Sequence, residues 1–144
     1  MPDSVAVMVR VTSTDEARES VTLSTSGALE DGARGWTLRY DETSPDSLAS
    51  VQTAIECRKS QVTIRRSGGV VSTIVFVENE TFMGEYQTPL GLFWLRVFPT
   101  EVSVRRRGNA GRIRLAYEVH LSSRLSPAGE TAMRRLDIRF TPCK

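Results

Sequence analysis

The chain of 144 residues holds one histidine, His120, and two cysteines, Cys57 and Cys143. That scarcity argues against a zinc site, which draws three or four ligands mostly from His and Cys. A Ser–His–Asp or Cys–His arrangement would have to be built on His120 alone, and nothing in the sequence orients it. Gly27, Gly32 and Gly35 have the wrong spacing for a phosphate-cradling loop or a dinucleotide turn, and no G-x-S-x-G occurs. Long hydrophobic runs are missing too: the longest nearly apolar stretch, residues 90–98, contains Arg96 and is too short to cross a bilayer as a helix. The start, Met1-Pro2-Asp3-Ser4, carries no basic region, and the apolar residues 5–9 are too few for a signal core. The expectation is a cytoplasmic protein with free thiols, without metal or cofactor, and not an enzyme.

Alternation with a period of two is what the chain has in abundance. Residues 111–121 put Ile113, Leu115, Tyr117, Val119 and Leu121 on one face, and Arg112, Arg114, Glu118 and His120 on the other. That pattern marks an antiparallel strand with one buried and one wet face. Val5, Val7, Val9 and Val11 repeat it at the start, Trp36, Leu38 and Tyr40 a little later, and Leu136, Ile138 and Phe140 near the end. Further strands are expected over 18–25, 61–66, 70–78, 82–88 and 92–98. Residues 26–35, with three glycines, read as a loop or hairpin tip, residues 41–47 as a polar turn, and 108–111 as a hairpin loop. Pro99 cannot donate to a ladder, so it bends its strand or makes a bulge before Val102 and Val104.

Residues 48–58 leave two readings open. Leu48, Val51 and Ile55 sit at helical spacing behind a cap at Asp46 or Ser47. Read with a period of two, Val51, Thr53, Ile55 and Cys57 share one face of a strand. Short strands on both sides, joined by small turns, favour the strand and a sandwich or barrel.

Four motifs in order carry a family likeness. They are Val62-x-Ile64-x-Arg66-x-Gly68, Phe76, Tyr86-x-Thr88-Pro89-x-Gly91, and Gly111-x-Ile113-x-Leu115-x-Tyr117. Together they resemble the YwiB-like family of small bacterial proteins of unknown function, over about residues 5–141. The resemblance implies an all-β fold, one antiparallel up-and-down calycin-like barrel of about eight to ten strands, distantly similar to lipocalins. It also implies that 48–58 is a strand. It supplies no reaction. Phe98-Pro99 departs from the family by interrupting a strand that usually runs smoothly.

Such a barrel has an interior that side chains nearly fill. Trp36, Leu38, Tyr40, Phe76, Tyr86, Tyr117 and Phe140 are the bulky candidates. Arg66 falls in phase with Val62 and Ile64 and so points inward, as do Tyr86 and Tyr117. An inward guanidinium needs acceptors, which either the protein or the carboxylate or phosphate of a ligand supplies. Arg66, Tyr86 and Tyr117 are therefore the candidate site for a small, partly apolar anion at the barrel mouth.

Charge is unevenly distributed. Residues 1–50 carry four arginines against nine carboxylates, and residues 101–144 carry ten cations against four. Pairing of the first and last strands would bring the acidic and basic ends together. Arg105, Arg106, Arg107, Arg112 and Arg114 cluster about one hairpin, with Arg134, Arg135 and Arg139 on the last strand. Arg105, Arg112, Arg114 and Arg139 form a candidate anion or nucleic-acid patch, but a solvated arginine face with Glu118 and Asp137 as local partners is the favoured reading. Nucleic acid is not expected, since single-strand binders add stacking aromatics and none interleave here. Leu92 and Trp94 form a third candidate. If Phe93, Leu95 and Val97 face inward, the two lie outside as an apolar patch suited to a homodimer; in the reverse phase Trp94 is core.

Overall fold

The computed structural model describes residues 4–42 and 50–143. Ten strands run through them: β1 (Ser4–Thr14), β2 (Ser20–Asp31), β3 (Trp36–Glu42), β4 (Val51–Arg58), β5 (Gln61–Gly68), β6 (Val71–Phe76), β7 (Phe82–Thr88), β8 (Gly91–Arg107), β9 (Ala110–Ser122) and β10 (Glu130–Pro142). Each pairs antiparallel with the next, and β10 returns to β1 over eight residue pairs, from Val7↔Pro142 to Thr14↔Arg135. The result is a closed up-and-down barrel with no helix among the described residues. Most of the polar turn expected at 41–47, the helix caps at Asp46 and Ser47, and Leu48 lie outside the described residues.

Alternation sets the inside. Val7, Val9, Leu29, Leu38, Ile55, Val62, Phe76, Val97, Ile113, Ile138 and Phe140 are each at most 1% exposed and meet along one axis. Burial of such side chains, roughly 1.5–3 kcal/mol apiece, is the main term holding the sheet curled. On β4 the inward face is Thr53, Ile55 and Cys57, so period two prevails over the helical spacing of Leu48, Val51 and Ile55. On β8 Leu95 and Val97 are buried, and Leu92 and Trp94 lie outside.

Two expectations are corrected. Residues 26–35 are not a loop: β2 continues to Asp31, and only residues 32–35 turn. Gly27 belongs to this strand because the backbone closes tightly around it. A methyl group there would collide with the Arg39 carbonyl oxygen and come within 2.9 Å of Val9 Cγ2. Gly111 likewise lies within β9, beneath the Phe140 ring, and the hairpin turn is only residues 108–109.

Pro99 sits at a β-bulge. The β8–β9 register shifts between Pro99 and Glu101, just beyond Val97, where pairing to β7 ends. The missing N–H is therefore not owed to a second ladder. The Asn79 N–H donates to the Pro99 carbonyl at 2.8 Å, and Glu78 Oε1 accepts the Val102 N–H at 3.0 Å. The extra residue resets the phase: Leu95, Val97 and Pro99 point inward before it, and Val102 and Val104 pack on the core after it.

The ends of the chain meet as strands, but their charges do not neutralise each other along the seam. Arg10, Thr12 and Thr14 of β1 oppose Arg139, Asp137 and Arg135 of β10. The thinnest ladder is β6–β7, held by Val71↔Gln87 and Ser72↔Tyr86 alone.

Gly27→Ala is expected to lower stability by about 1–3 kcal/mol through overpacking. Gly32→Ala meets nothing closer than 3.5 Å and should stay within about 0.5 kcal/mol of wild type. Urea unfolding of the two variants checks this.

Candidate functional site

Strand register places one inward row around half the barrel. Tyr40 of β3 opposes Thr53 of β4, Thr53 opposes Arg66 of β5, Arg66 opposes Ser72 of β6, and Ser72 opposes Tyr86 of β7. Five consecutive strands thus each contribute a polar side chain at the same level, about 5 Å apart. Three of these carry buried polar atoms with no protein partner: Thr53 Oγ1, Arg66 Nε and Ser72 Oγ. They are the orphaned side-chain atoms among the described residues, and they are adjacent. Thr53 is 2% exposed and Ser72 5%. A buried donor left unmade costs about 1–3 kcal/mol, so three together need a shared explanation.

Two members of the row, Arg66 and Tyr86, line a cavity of about 330 Å³ toward one end of the barrel, and Thr53 and Ser72 lie next to Arg66 in the row without lining it. Arg66, Tyr86 and Tyr117 all line it, so the three residues singled out from the sequence are brought together. Arg134 and Glu130 stand on the same wall, and Ile74, Leu95, Val97, Val119 and Leu121 supply an apolar one. The nearest carboxylate to Arg66 is Glu42 at 3.8 Å, a loose contact that leaves Nε free. Tyr117 rests edge-on against Phe76, with ring centroids 5.1 Å apart. Burial pushes the Tyr117 phenol above its ordinary range, partly offset by Arg66 and Arg134. Burial also raises the Tyr40 phenol, reinforced by Glu42. Both phenols are therefore neutral donors at neutral pH.

Sequence reasoning did not single out Thr53, Ser72 or Glu130, and it grouped Arg134 with the basic cluster of the last strand, whereas Arg134 lines the cavity. Thr53 carried a visible signal, a hydroxyl in phase with Ile55 and Cys57. Ser72 became meaningful only when register set it beside Arg66.

A larger depression of about 730 Å³ is lined by Tyr40, Thr53 and Arg66 of the same row together with Arg39 and Arg65, which already pair with Glu30 at 3.5 Å and with Glu56. Other candidates lie elsewhere. Arg105, Arg112, Arg114 and Arg139 lie on the outer face of β8, β9 and β10, the strands whose inner face lines much of the cavity, and none of the four lines it. Leu92 and Trp94 are 39% and 44% exposed. His120 Nδ1 pairs with Thr131 Oγ1 at 2.7 Å. Among the described residues no three His, Cys, Asp or Glu side chains group as metal ligands, and no helix is long and apolar enough to cross a membrane.

The opposite end of the barrel is plugged. Arg106 lies over the Trp36 ring at 5.3 Å, forks onto both Asp31 oxygens, and donates through Nε to the Gly108 carbonyl at 2.7 Å. Trp36 stacks at a tilt on Phe140, 5.3 Å away, and Cys57 is buried 4% exposed on the same side. Burial pushes the Cys57 thiol up to about 12, against a smaller opposing pull from Arg106. Hydrogen bonding to Arg106 holds the Asp31 carboxyl below the ordinary carboxylate range.

Two outcomes follow from this plug. Iodoacetamide at about pH 8 is expected to label exposed Cys143 in the folded protein and Cys57 only after unfolding, as mass spectrometry would read. The Asp31–Arg106 pair stabilises above the unfolded carboxylate value, about 4, and its contribution is lost as pH falls through the lowered folded value. The melting temperature of Asp31→Asn should therefore fall less steeply than that of wild type between about pH 5 and pH 2.

The solved ywiB protein from Bacillus subtilis has a similar fold, with a TM-score of 0.84 at 19% identity, covering 98% of this chain and 94% of that one. No curated protein matches the sequence. A family model described as a domain of unknown function, DUF1934, matches residues 6–134 and so takes in nearly the whole barrel. The chain belongs to the DUF1934 family.

Proposed function

We propose that the barrel is a binding protein, not an enzyme, for a small molecule that joins an oxyanion head to an apolar body. The head lies against Arg66, Tyr86 and Tyr117 on the cavity wall, with Thr53 and Ser72 flanking Arg66 behind it, and the body lies along Ile74, Leu95, Val97 and Val119. The observation that carries this reading is Arg66, which lines the cavity with its Nε unpartnered and has the orphaned Thr53 and Ser72 hydroxyls on either side of it in the row. An oxyanion in the cavity accepts from the Arg66 guanidinium, and a guanidinium beside hydroxyls favours a charged acceptor over a neutral one. The cavity volume lies at the small end of the range for ligand pockets. Support for binding over catalysis comes from the lone histidine on an outer face and from a buried, protonated thiol.

Isothermal titration with benzoate and phenyl phosphate, and with benzyl alcohol as the uncharged control, tests the reading. Native mass spectrometry of the protein taken from cell extract complements it. The anions are expected to bind and the alcohol not to. Arg66→Gln should weaken anion binding at least tenfold, in line with about 1.5–3 kcal/mol for a hydrogen bond to a charged group. Thr53→Val is the sharper probe. Without ligand it should melt at or above the wild-type temperature, because it removes an unmatched hydroxyl, yet it should bind the anions more weakly. Loss of stability in ligand-free Thr53→Val, or no anion binding and no retained ligand, overturns the proposal.

A further inference from the structure

Four arginines stand in one row across four neighbouring strands on the outer face of the barrel. Arg10 of β1 opposes Arg139 of β10, Arg139 opposes Arg112 of β9, and Arg112 opposes Arg105 of β8. Like charges directly opposite in a sheet destabilise it, and here the opposition occurs three times in succession. The row itself contains no carboxylate. At one end Arg10 meets Ser24, and at the other β7 does not extend as far as Arg105. Asp137, one level along β10, accepts from Arg112 Nε at 2.9 Å and from NH2 at 2.6 Å, and lies 3.7 Å from Arg139. It aligns those two guanidinium groups, and Glu101 acts on Arg112 from beside the row, so two carboxylates stand against the four arginines of the row and Arg114. Arg114 adds a fifth charge, exposed beside the row.

We propose that this row is a docking site for the backbone of a nucleic-acid duplex, bound without regard to sequence. At the spacing of neighbouring strands the four arginines run for about 15 Å, a reach of about three successive phosphates of one duplex strand. Phosphates laid across the row turn its mutual repulsion into attraction and release the counterions that both surfaces had condensed. Single strands and folded lipid or protein surfaces fit less well. None of the residues named on this face is aromatic, so nothing here stacks on unpaired bases. A duplex backbone needs only cations in a line. The inference is independent of the cavity, which opens inside the barrel.

Fluorescence anisotropy with a labelled 24-base-pair duplex of mixed sequence, in RNA and DNA forms, tests it at about 50 and 200 mM salt. The wild-type protein should bind both duplexes and weaken steeply as salt rises. Replacing Arg10, Arg105 and Arg139 together by Gln should reduce affinity more than tenfold and lower the slope of log K against log salt by about 2–3. Arg105→Gln alone, which leaves the Asp137 contacts intact, should lower it by about 1. The charge-matched triple Arg18→Gln, Arg96→Gln and Arg124→Gln should stay within twofold of wild type. Equal losses in the two triples, no saturable binding, or tighter binding to the single strand or to vesicles containing phosphatidylserine would each overturn the proposal.

Discussion

Everything in this molecule depends on the ladder between the first and last strands. Eight residue pairs between β1 and β10 turn a ten-stranded meander into a tube. Without them the sheet would have two long edges and a wet inner face. The closure defines an inside, and with it the meaning of each alternating residue. Val7, Val9, Ile138 and Phe140 become core because the strands that carry them are joined. Closure also makes the inner wall a set of levels, each a ring of side chains set by register. One such level is the row from Tyr40 to Tyr86.

The two ends of the tube use arginine in different ways. At one end Arg106 is satisfied from three directions: by both Asp31 oxygens, by the Gly108 carbonyl and by the Trp36 ring. This is a guanidinium used as a stopper. Toward the other end Arg66 has one loose carboxylate contact and an unpartnered Nε, beside two unpartnered hydroxyls. A charged group matched inside a protein is structure, and one left unmatched is a capacity to receive something. The contrast between two inward arginines of the same barrel supports the proposed binding site better than either does alone.

Much of the architecture was legible in the sequence because period two survives in isolation. Val5 to Val11, Trp36 to Tyr40 and Ile113 to Leu121 needed no partner to declare their buried face. The inward phase of Arg66, Tyr86 and Tyr117 followed from the same rule. What could not be read was anything requiring two strands at once. Gly27 looked like a loop residue because the carbonyl and valine that exclude a side chain there come from distant segments. Ser72 was unremarkable until it was set opposite Arg66. Arg10 gave no hint that it completes a row with Arg105, Arg112 and Arg139, since register between the ends of a chain is not written in either end. Net charge misled for a related reason. The acidic and basic termini pair as backbone, yet several N-terminal carboxylates occupy the turn after β1 and the tip of β2, and the arginines of β1 and β10 face one another.

The bulge at Pro99 has a reach beyond its own turn. Arg105, Arg106 and Arg107 are consecutive, so on a strand they must divide between the two faces of the wall. Carried forward unbroken from Leu95 and Val97, the alternation would have driven Arg105 and Arg107 into the oily interior and left Arg106 stranded outside. One inserted residue swaps the assignment. A single count in the middle of the longest strand thus decides which guanidinium seals the tube and which are left to meet the world.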